Sequence, residues 1–67
     1  MENYRSRLFS EQSELSIKIE KLKNFIFSDK FESLSSIDKE ELREQYIHME
    51  RYYYILSSRI SRQLNNA

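Results

Sequence analysis

The chain has 67 residues, which is the size of one small domain and leaves no room for a second core. Glycine, proline, cysteine and tryptophan are all absent, which excludes disulfides, thiolate metal sites, cysteine nucleophiles and glycine-rich phosphate loops. Eleven Lys and Arg residues balance eleven Asp and Glu residues, so bulk charge does not favour binding to duplex nucleic acid or anionic membrane. Any basic binding site must therefore be local.

The N-terminal segment, residues 1–7, is polar and charged and lacks the apolar stretch of a signal peptide. No later stretch approaches the roughly 18 apolar residues that a membrane span requires. These features predict a cytoplasmic protein. Because 39% of the residues are hydrophobic and 13% are aromatic, the composition is that of a folded chain and not of a disordered tail.

The first predicted element is an amphipathic helix over about residues 4–27. Three leucines recur every seven residues, and an isoleucine follows the second and the third of them after four residues. These spacings place the five side chains on one face of a helix, which a single glutamine interrupts. The inward-facing positions are Leu8, Gln12, Leu15, Ile19, Leu22 and Ile26.

Residues 28–35 are predicted to form the connector. Serine and aspartate side chains, which compete for backbone hydrogen bonds, break the apolar stripe here. Phe31 and Leu34 are three residues apart, and this spacing indicates a short helical turn inside the connector.

A second helix is predicted over about residues 36–63. Ser35 and Asp38 have the spacing of a capping box, and acidic residues in the following turn carry the charge that a helix N-terminus favours. Apolar residues then follow at alternating intervals of four and three residues. This second stripe comprises Leu42, Tyr46, Met49, Tyr53, Leu56 and Ile60.

The two stripes predict an all-α fold, a single helical domain over residues 1–67 that forms an antiparallel hairpin. In a chain below about 70 to 80 residues the core rarely supplies more than about 3–5 kcal/mol, and disulfides, metals or association compensate. Cysteine is absent and there is one histidine, so we expect a compact homo-oligomer. Apolar residues outside the stripes support this expectation: Phe9, Ile17, Phe25, Phe27, Ile47 and Tyr54.

The titratable residues do not suggest an enzyme. His48 lies four residues after Glu44, the spacing of a metal-binding pair, but no other histidine or cysteine completes a site. A solvated or interfacial histidine is the favoured interpretation. Glu40, Glu41 and Glu44 are interpreted as a solvated acidic first turn and not as an acid–base pair. We expect no catalytic residues, no metal ligands and no cofactor.

Arginines and tyrosines are predicted to meet at one end of the hairpin, where the C-terminal turns return alongside the N-terminus. Guanidinium groups bind phosphate oxygens in pairs and phenol rings stack on bases, so such a set suits a small anionic ligand that carries nucleobases. The residues expected to converge are Tyr4, Arg5, Arg7, Arg59, Arg62 and the tyrosine run 52–54.

A purely structural interpretation of these cations stays open. Arginines near a helix C-terminus complement the helix dipole, and tyrosines are common at interfaces. A second basic cluster contains Lys18, Lys21 and Lys23, with Glu20 as the acid among them. A solvated helix flank explains this cluster as well as a binding site does.

Two motifs carry a resemblance to a known family. Segment 21–34 reads K-L-x-x-F-I-x-S-x-x-F-x-x-L, and segment 49–60 reads M-x-x-Y-x-x-x-L-x-x-R-I. With Lys18 and Gln45, these motifs make residues 4–60 resemble the small phage anti-CBASS proteins that sequester cyclic oligonucleotides.

The resemblance implies a homohexamer of helical hairpins that acts in the cytoplasm of the infected bacterial host. Family members bind cyclic dinucleotides in pockets between protomers, and some bind cyclic trinucleotides at separate sites, in both cases without cleavage. The family's ligand-binding tyrosine, lysine and arginine fall on Tyr4, Lys18 and Arg59, and whether Arg59 serves the same pocket as the other two or a separate one for the larger rings stays open. The charge pattern adds Lys21 and Arg62 to the candidate ligand-binding residues.

A second functional class uses the same stripes. A coiled-coil interaction module would dock a partner helix on its outer apolar face and bind no nucleotide. Substitution of Tyr4, Lys18 or Arg59 distinguishes the two classes, because only a sponge depends on these side chains.

Overall fold

The fold is all-helical, as predicted. The computed structural model describes residues 3–65 and contains three helices: α1, Tyr4–Ile26; α2, Asp29–Glu32; and α3, Ser36–Asn65. The sequence placed the long helices at about 4–27 and 36–63, so α3 continues two residues further than expected. Within residues 3–65 no helix combines the length and the hydropathy that a membrane crossing requires.

Side chains cap the starts of both long helices. The side chain of Asn3 accepts a hydrogen bond of 2.8 Å from the backbone N–H of Ser6 and satisfies a free donor of the first turn of α1. The Ser35 hydroxyl accepts a 3.2 Å bond from the backbone N–H of Asp38. This second bond is the one that the capping-box spacing predicted.

The helices α1 and α3 lie side by side and run in opposite directions. At the N-terminal end of α1, the Arg5 guanidinium donates a hydrogen bond of 2.8 Å to the carbonyl of Gln63. Further along, Gln12 Nε2 donates to Ser57 Oγ at 2.6 Å. The resulting shape is elongated, about 49 × 19 × 15 Å.

The core lies along the seam between α1 and α3. Leu8, Leu15, Leu56 and Ile60 are buried together, and three partly buried residues of the predicted stripes pack against them: Ile19, Met49 and Tyr53. The inward-facing assignment of both stripes is therefore confirmed. Towards the connector the stripe is only half-buried, at Leu22, Ile26, Leu42 and Tyr46.

The connector has a small core of its own around Phe31, which is 1% exposed. The ring of Phe25 packs edge-on against Phe31 at 6.3 Å, and the Arg43 guanidinium lies 5.2 Å from the centre of the Phe31 ring. Lys39 lies 5.9 Å from the same centre and also pairs with Glu32 at 3.5 Å. Phe25 was expected on an outer apolar face. It packs in this cluster because the connector folds Phe31 back against the end of α1.

Candidate functional site

The seam between α1 and α3 has two long flanks, and two of the candidate binding residues, Tyr4 and Arg59, contact each other on one of them. We call it the paired flank and define it by Tyr4, Glu11, Tyr52 and Arg59. On each helix the two residues are seven positions apart and so share one side of the helix. Side chains from the two helices bond to each other across this flank.

Tyr4 and Arg59 form a direct contact between the two ends of the chain. Arg59 Nη2 donates a hydrogen bond to the Tyr4 hydroxyl, and the Arg59 guanidinium carbon lies 5.6 Å from the centre of the Tyr4 ring. The hydrogen bond to Tyr4 raises the pKa of Arg59 above its usual range, so the guanidinium stays charged at any physiological pH. Because Tyr4 is 46% exposed, solvent and small ligands reach this cation–aromatic pair.

Tyr52 and Glu11 form a second contact beside the first one. The Tyr52 hydroxyl donates a hydrogen bond to Glu11 Oε1, and this bond, followed by desolvation, raises the pKa of Tyr52. The Glu11 carboxylate also acts on Arg59 through its charge. The positive field at Arg59 is therefore partly offset by a neighbouring acid, and its value for a ligand lies in directed hydrogen bonds more than in long-range attraction.

The other predicted ligand-binding residues are spread along the molecule. Arg62 follows Arg59 by three residues and is exposed on the same side of α3. Lys18 and Lys21 are exposed on α1, and Lys18 is 14 residues after Tyr4, a separation of about 21 Å along a helix. The fold brings Tyr4 and Arg59 together, with Arg62 nearby, but leaves both lysines of the same chain well away from them.

The expected convergence of arginines and tyrosines occurs only in part. Arg5 is bonded to the Gln63 carbonyl at the end of the helix pair. The three consecutive tyrosines point about 100° apart around α3, since each residue turns a helix by that angle. Tyr52 joins the paired flank, Tyr53 packs against the core, and Tyr54 is 71% exposed elsewhere. A run of consecutive residues in a helix does not form one surface.

The opposite side of the seam, which we call the open flank, includes most of the apolar residues that the sequence placed outside the two stripes. Large apolar side chains are exposed along this flank: Phe9, Phe27, Ile47, Tyr54 and Leu64. Two of the cavities on this flank are lined by charged side chains from both long helices. The smaller, of about 180 Å³, is lined by Ser16, Ile19, Glu20, Glu50, Tyr53 and Tyr54. The larger, of about 300 Å³, is lined by Lys23, Ile26, Phe27, Arg43, Tyr46 and Ile47.

Tyr46 lies between the charged groups of the open flank. Desolvation raises its pKa most, followed by the negative charge of Glu50 and, more weakly, that of Glu20. The two carboxylates therefore lie near one another and near Tyr46. The periodicity of α3 assigned Tyr46 to the seam but gave no sign of this arrangement, because the acids come from different helices.

His48 makes a local contact only. Its Nε2 lies 3.4 Å from Glu44 Oε2, and both side chains are largely exposed. Among residues 3–65 no group of three or more potential metal ligands comes together.

The chain belongs to the Sequestin family, whose model matches residues 2–62. It is also 36% identical over 58 residues to an uncharacterised 7.5 kDa protein from the denB–rIIB intergenic region of Enterobacteria phage T4. That match covers 87% of this chain and 91% of the phage protein. No solved structure matches the chain significantly. Membership of this family confirms the resemblance to phage sequestering proteins, and the family name indicates that a ligand is bound and held.

Proposed function

We propose that this chain is a phage anti-defence protein that binds cyclic oligonucleotide second messengers and keeps them from activating CBASS effectors. Its ligands are cyclic dinucleotides and, at a separate site, cyclic trinucleotides. It holds them without cleavage, in the cytoplasm of the infected host, and is not an enzyme. Family membership and the T4 relative support the part of this proposal that concerns a phage sequestering protein.

The observation that carries the proposal is the Tyr4–Arg59 pair. Its ring and its guanidinium are already joined in the ligand-free chain. A cyclic dinucleotide presents two phosphates and two bases in a compact ring, so it needs few cations and flat side chains instead of an extended basic surface. The guanidinium supplies donors for a phosphate oxygen, and an exposed phenol ring supplies a stacking surface for a base. A net charge of zero is compatible with such a site.

Lys18 and Lys21 enter the site through self-association. About 21 Å separates Lys18 from Tyr4 along α1, so one compact ligand cannot contact both side chains of a single chain. A site formed between copies removes this obstacle, because the lysines of one hairpin then face the Tyr4–Arg59 pair of another. We propose that the helical hairpin is the assembling unit and, from the family resemblance, that six copies form the assembly.

The contact between Tyr4 and Arg59 bears on the number of pockets. The sequence left open whether Arg59 serves a different pocket from Tyr4 and Lys18, and the structure shows that Arg59 and Tyr4 touch within one chain. We propose that both residues serve the dinucleotide pocket, and that Arg62, one turn further along α3, serves the larger rings.

Calorimetric titration with a panel of cyclic dinucleotides and trinucleotides tests the proposal. We expect saturable binding of at least one cyclic ligand and much weaker binding of the linear dinucleotide with the same bases. The linear form carries the same chemical groups, so it controls for unspecific attraction to phosphate. Absence of binding to every cyclic ligand at high micromolar concentration contradicts the sponge and favours a helical interaction module.

A further inference from the structure

The connector-proximal half of the open flank carries two acids next to two bases. Glu20 and Glu50 line the smaller cavity, while Lys23 and Arg43 line the larger one. Each pair takes one member from α1 and one from α3. Within residues 3–65 none of these four side chains forms an ion pair in the chain.

The acids and the bases are arranged around a common centre. The two cavities define which parts of the helices lie beside each other on this flank, because Glu20 shares one cavity with Glu50 and Lys23 shares the other with Arg43. In this alignment the point midway between the two α1 charges lies level with the point midway between the two α3 charges. Tyr46 lies at this level, between the acidic and the basic pair.

Such an arrangement is complementary to itself. A two-fold axis that lies in the flank at the level of Tyr46, perpendicular to the helices, turns a second copy end over end. In this arrangement α1 of one copy packs against α1 of the other, and α3 packs against α3. On both helices, each acid of one copy then faces a base of the other. In a two-fold contact every such pairing occurs twice, so four oppositely charged pairs form from four side chains per copy.

We propose that a second copy of this chain docks in the opposite direction on the connector-proximal half of the open flank, with Glu50 of each copy facing Arg43 of the other. On α1 the corresponding pair is Glu20 with the partner's Lys23. The inference rests on the self-association in the proposed function and names the surface through which it occurs.

The shape of the open flank supports the same two-fold contact that its charges indicate. Phe27 is 79% exposed, more than any other large apolar side chain of residues 3–65. The same axis carries Phe27 to the level of the partner's Ser16, where the cavity of about 180 Å³ opens. A cavity of roughly 150 Å³ accommodates benzene, so this one has room for a phenyl ring. Tyr46 of each copy lies at the level of Ile47 of the other beside the axis, and these side chains supply the apolar centre of the contact.

The charge pattern favours a second copy over an unrelated helix. An unrelated partner needs its own matching set of charges, whereas this chain carries both signs at equal distances from one centre. The half of the open flank around Phe9 and Leu64 lies outside the overlap. The paired flank is also free, so a different contact between copies can form the ligand site there.

Two opposite charge reversals test the interface by sedimentation equilibrium. In R43E an acid faces Glu50, and in E50R a base faces Arg43, so each variant alone should self-associate at least about tenfold more weakly than the natural chain. An equimolar mixture should regain association, because every facing pair is then of opposite sign. The matched controls are E44R and R51E, one position further along α3 on its exposed outer side, which should keep the natural assembly.

The charged pair on α1, Glu20 with the partner's Lys23, provides an independent set of variants. E20K and K23E should behave in the same way, alone and mixed, and they leave in place the Arg43 and Lys39 contacts with the Phe31 ring. Unchanged association of the single variants, or mixtures that stay dissociated, would overturn the interface, as would a natural chain that is monomeric at micromolar concentration. Titration of the natural chain with cyclic dinucleotides, run in parallel, separates a wrong interface from a wrong function.

Discussion

The two flanks of this molecule run along the same pair of helices and differ in how their side chains are satisfied. On the paired flank, Tyr4 bonds to Arg59 and Tyr52 bonds to Glu11 across the seam. On the open flank, apolar side chains such as Phe27 and Tyr54 face solvent, and acids and bases lie near each other without ion pairs. On the first flank the polar side chains bond to each other within one chain, whereas the second flank has the features of a surface that a further molecule covers.

The largest expected effect concerns the seam that both flanks share. Leu56 is 0% exposed, and its replacement by alanine should cost about 2–5 kcal/mol of unfolding free energy. Met49→Ala and Leu22→Ala should cost less, because both side chains are only half-buried in one chain. Urea denaturation followed by far-UV circular dichroism measures these differences. Full stability of the Met49→Ala, Leu56→Ala double variant would show that the inward faces are wrongly assigned.

The paired flank should respond to substitution through ligand binding and not through folding. Tyr4→Ala removes a stacking surface worth about 1–3 kcal/mol per base, and Arg59→Ala or Lys18→Ala removes a charged hydrogen bond of about 1.5–3 kcal/mol. Each change should weaken cyclic-dinucleotide binding about tenfold or more while helicity and oligomer size stay unchanged. Arg51→Ala, also an exposed arginine of α3, is the matched control and should bind normally.

The pattern of losses sharpens the site assignment. Equal losses for Tyr4→Ala and Arg59→Ala are expected if the pair acts as one unit. A loss confined to trinucleotides for Arg59→Ala would instead place Arg59 in a separate pocket for the larger rings. Strong binding by all three variants would refute the assigned residues while leaving the function intact, and Lys21, Arg62 and Arg5 then become the next residues to test.

A smaller effect is expected at the polar position inside the seam. Gln12 bonds to Ser57 in a partly buried contact of 2.6 Å, and the net value of such a bond is about 0.5–1.5 kcal/mol. A double-mutant cycle of Gln12→Ala and Ser57→Ala measures this coupling in the free energy of unfolding. Additive single effects would mean that the bond does not stabilise the helix pair.

The smallest effect is a pH dependence on the alkaline side. The pKa of Tyr52 is raised above 10.0, mainly by its bond to Glu11, so the folded chain holds this proton more tightly than the unfolded chain does. Stability is fully present below the unfolded pKa and falls as pH rises through the folded pKa. Glu11→Gln should lower the pKa of Tyr52, read from tyrosinate absorbance against a Tyr52→Phe control. An unchanged titration in Glu11→Gln would contradict the contact.

Periodicity predicted what a helix determines locally. The seven-residue spacing of Leu8 and Leu15 and the alternation that ends in Leu56 and Ile60 identified the buried faces, since a side chain's face follows from its position along a helix. The serine at position 35 identified the start of α3 by its capping geometry.

Periodicity within one helix could not predict the contacts between the helices. The burial of Phe31 depends on how the connector folds back, and the closeness of Glu20 and Glu50 depends on the alignment of α1 with α3. The charge pattern correctly predicted that Arg59 lies near Tyr4. It also predicted Tyr54 in this group, but Tyr54 lies on a different side of α3. Spacing within one helix predicts which residues share a face, while the partner of that face depends on tertiary structure.

Sequestration is the central claim, and one measurement tests it most directly. A cyclic dinucleotide is dialysed to equilibrium against increasing amounts of protein up to the ligand concentration, the free ligand is quantified, and the protein is then denatured by heat. The account predicts that free ligand falls in proportion to the protein added, and that all of it returns as the intact ring after denaturation. Unchanged free ligand, or recovery of linear or shortened products, would contradict a protein that binds these messengers and holds them without cleavage.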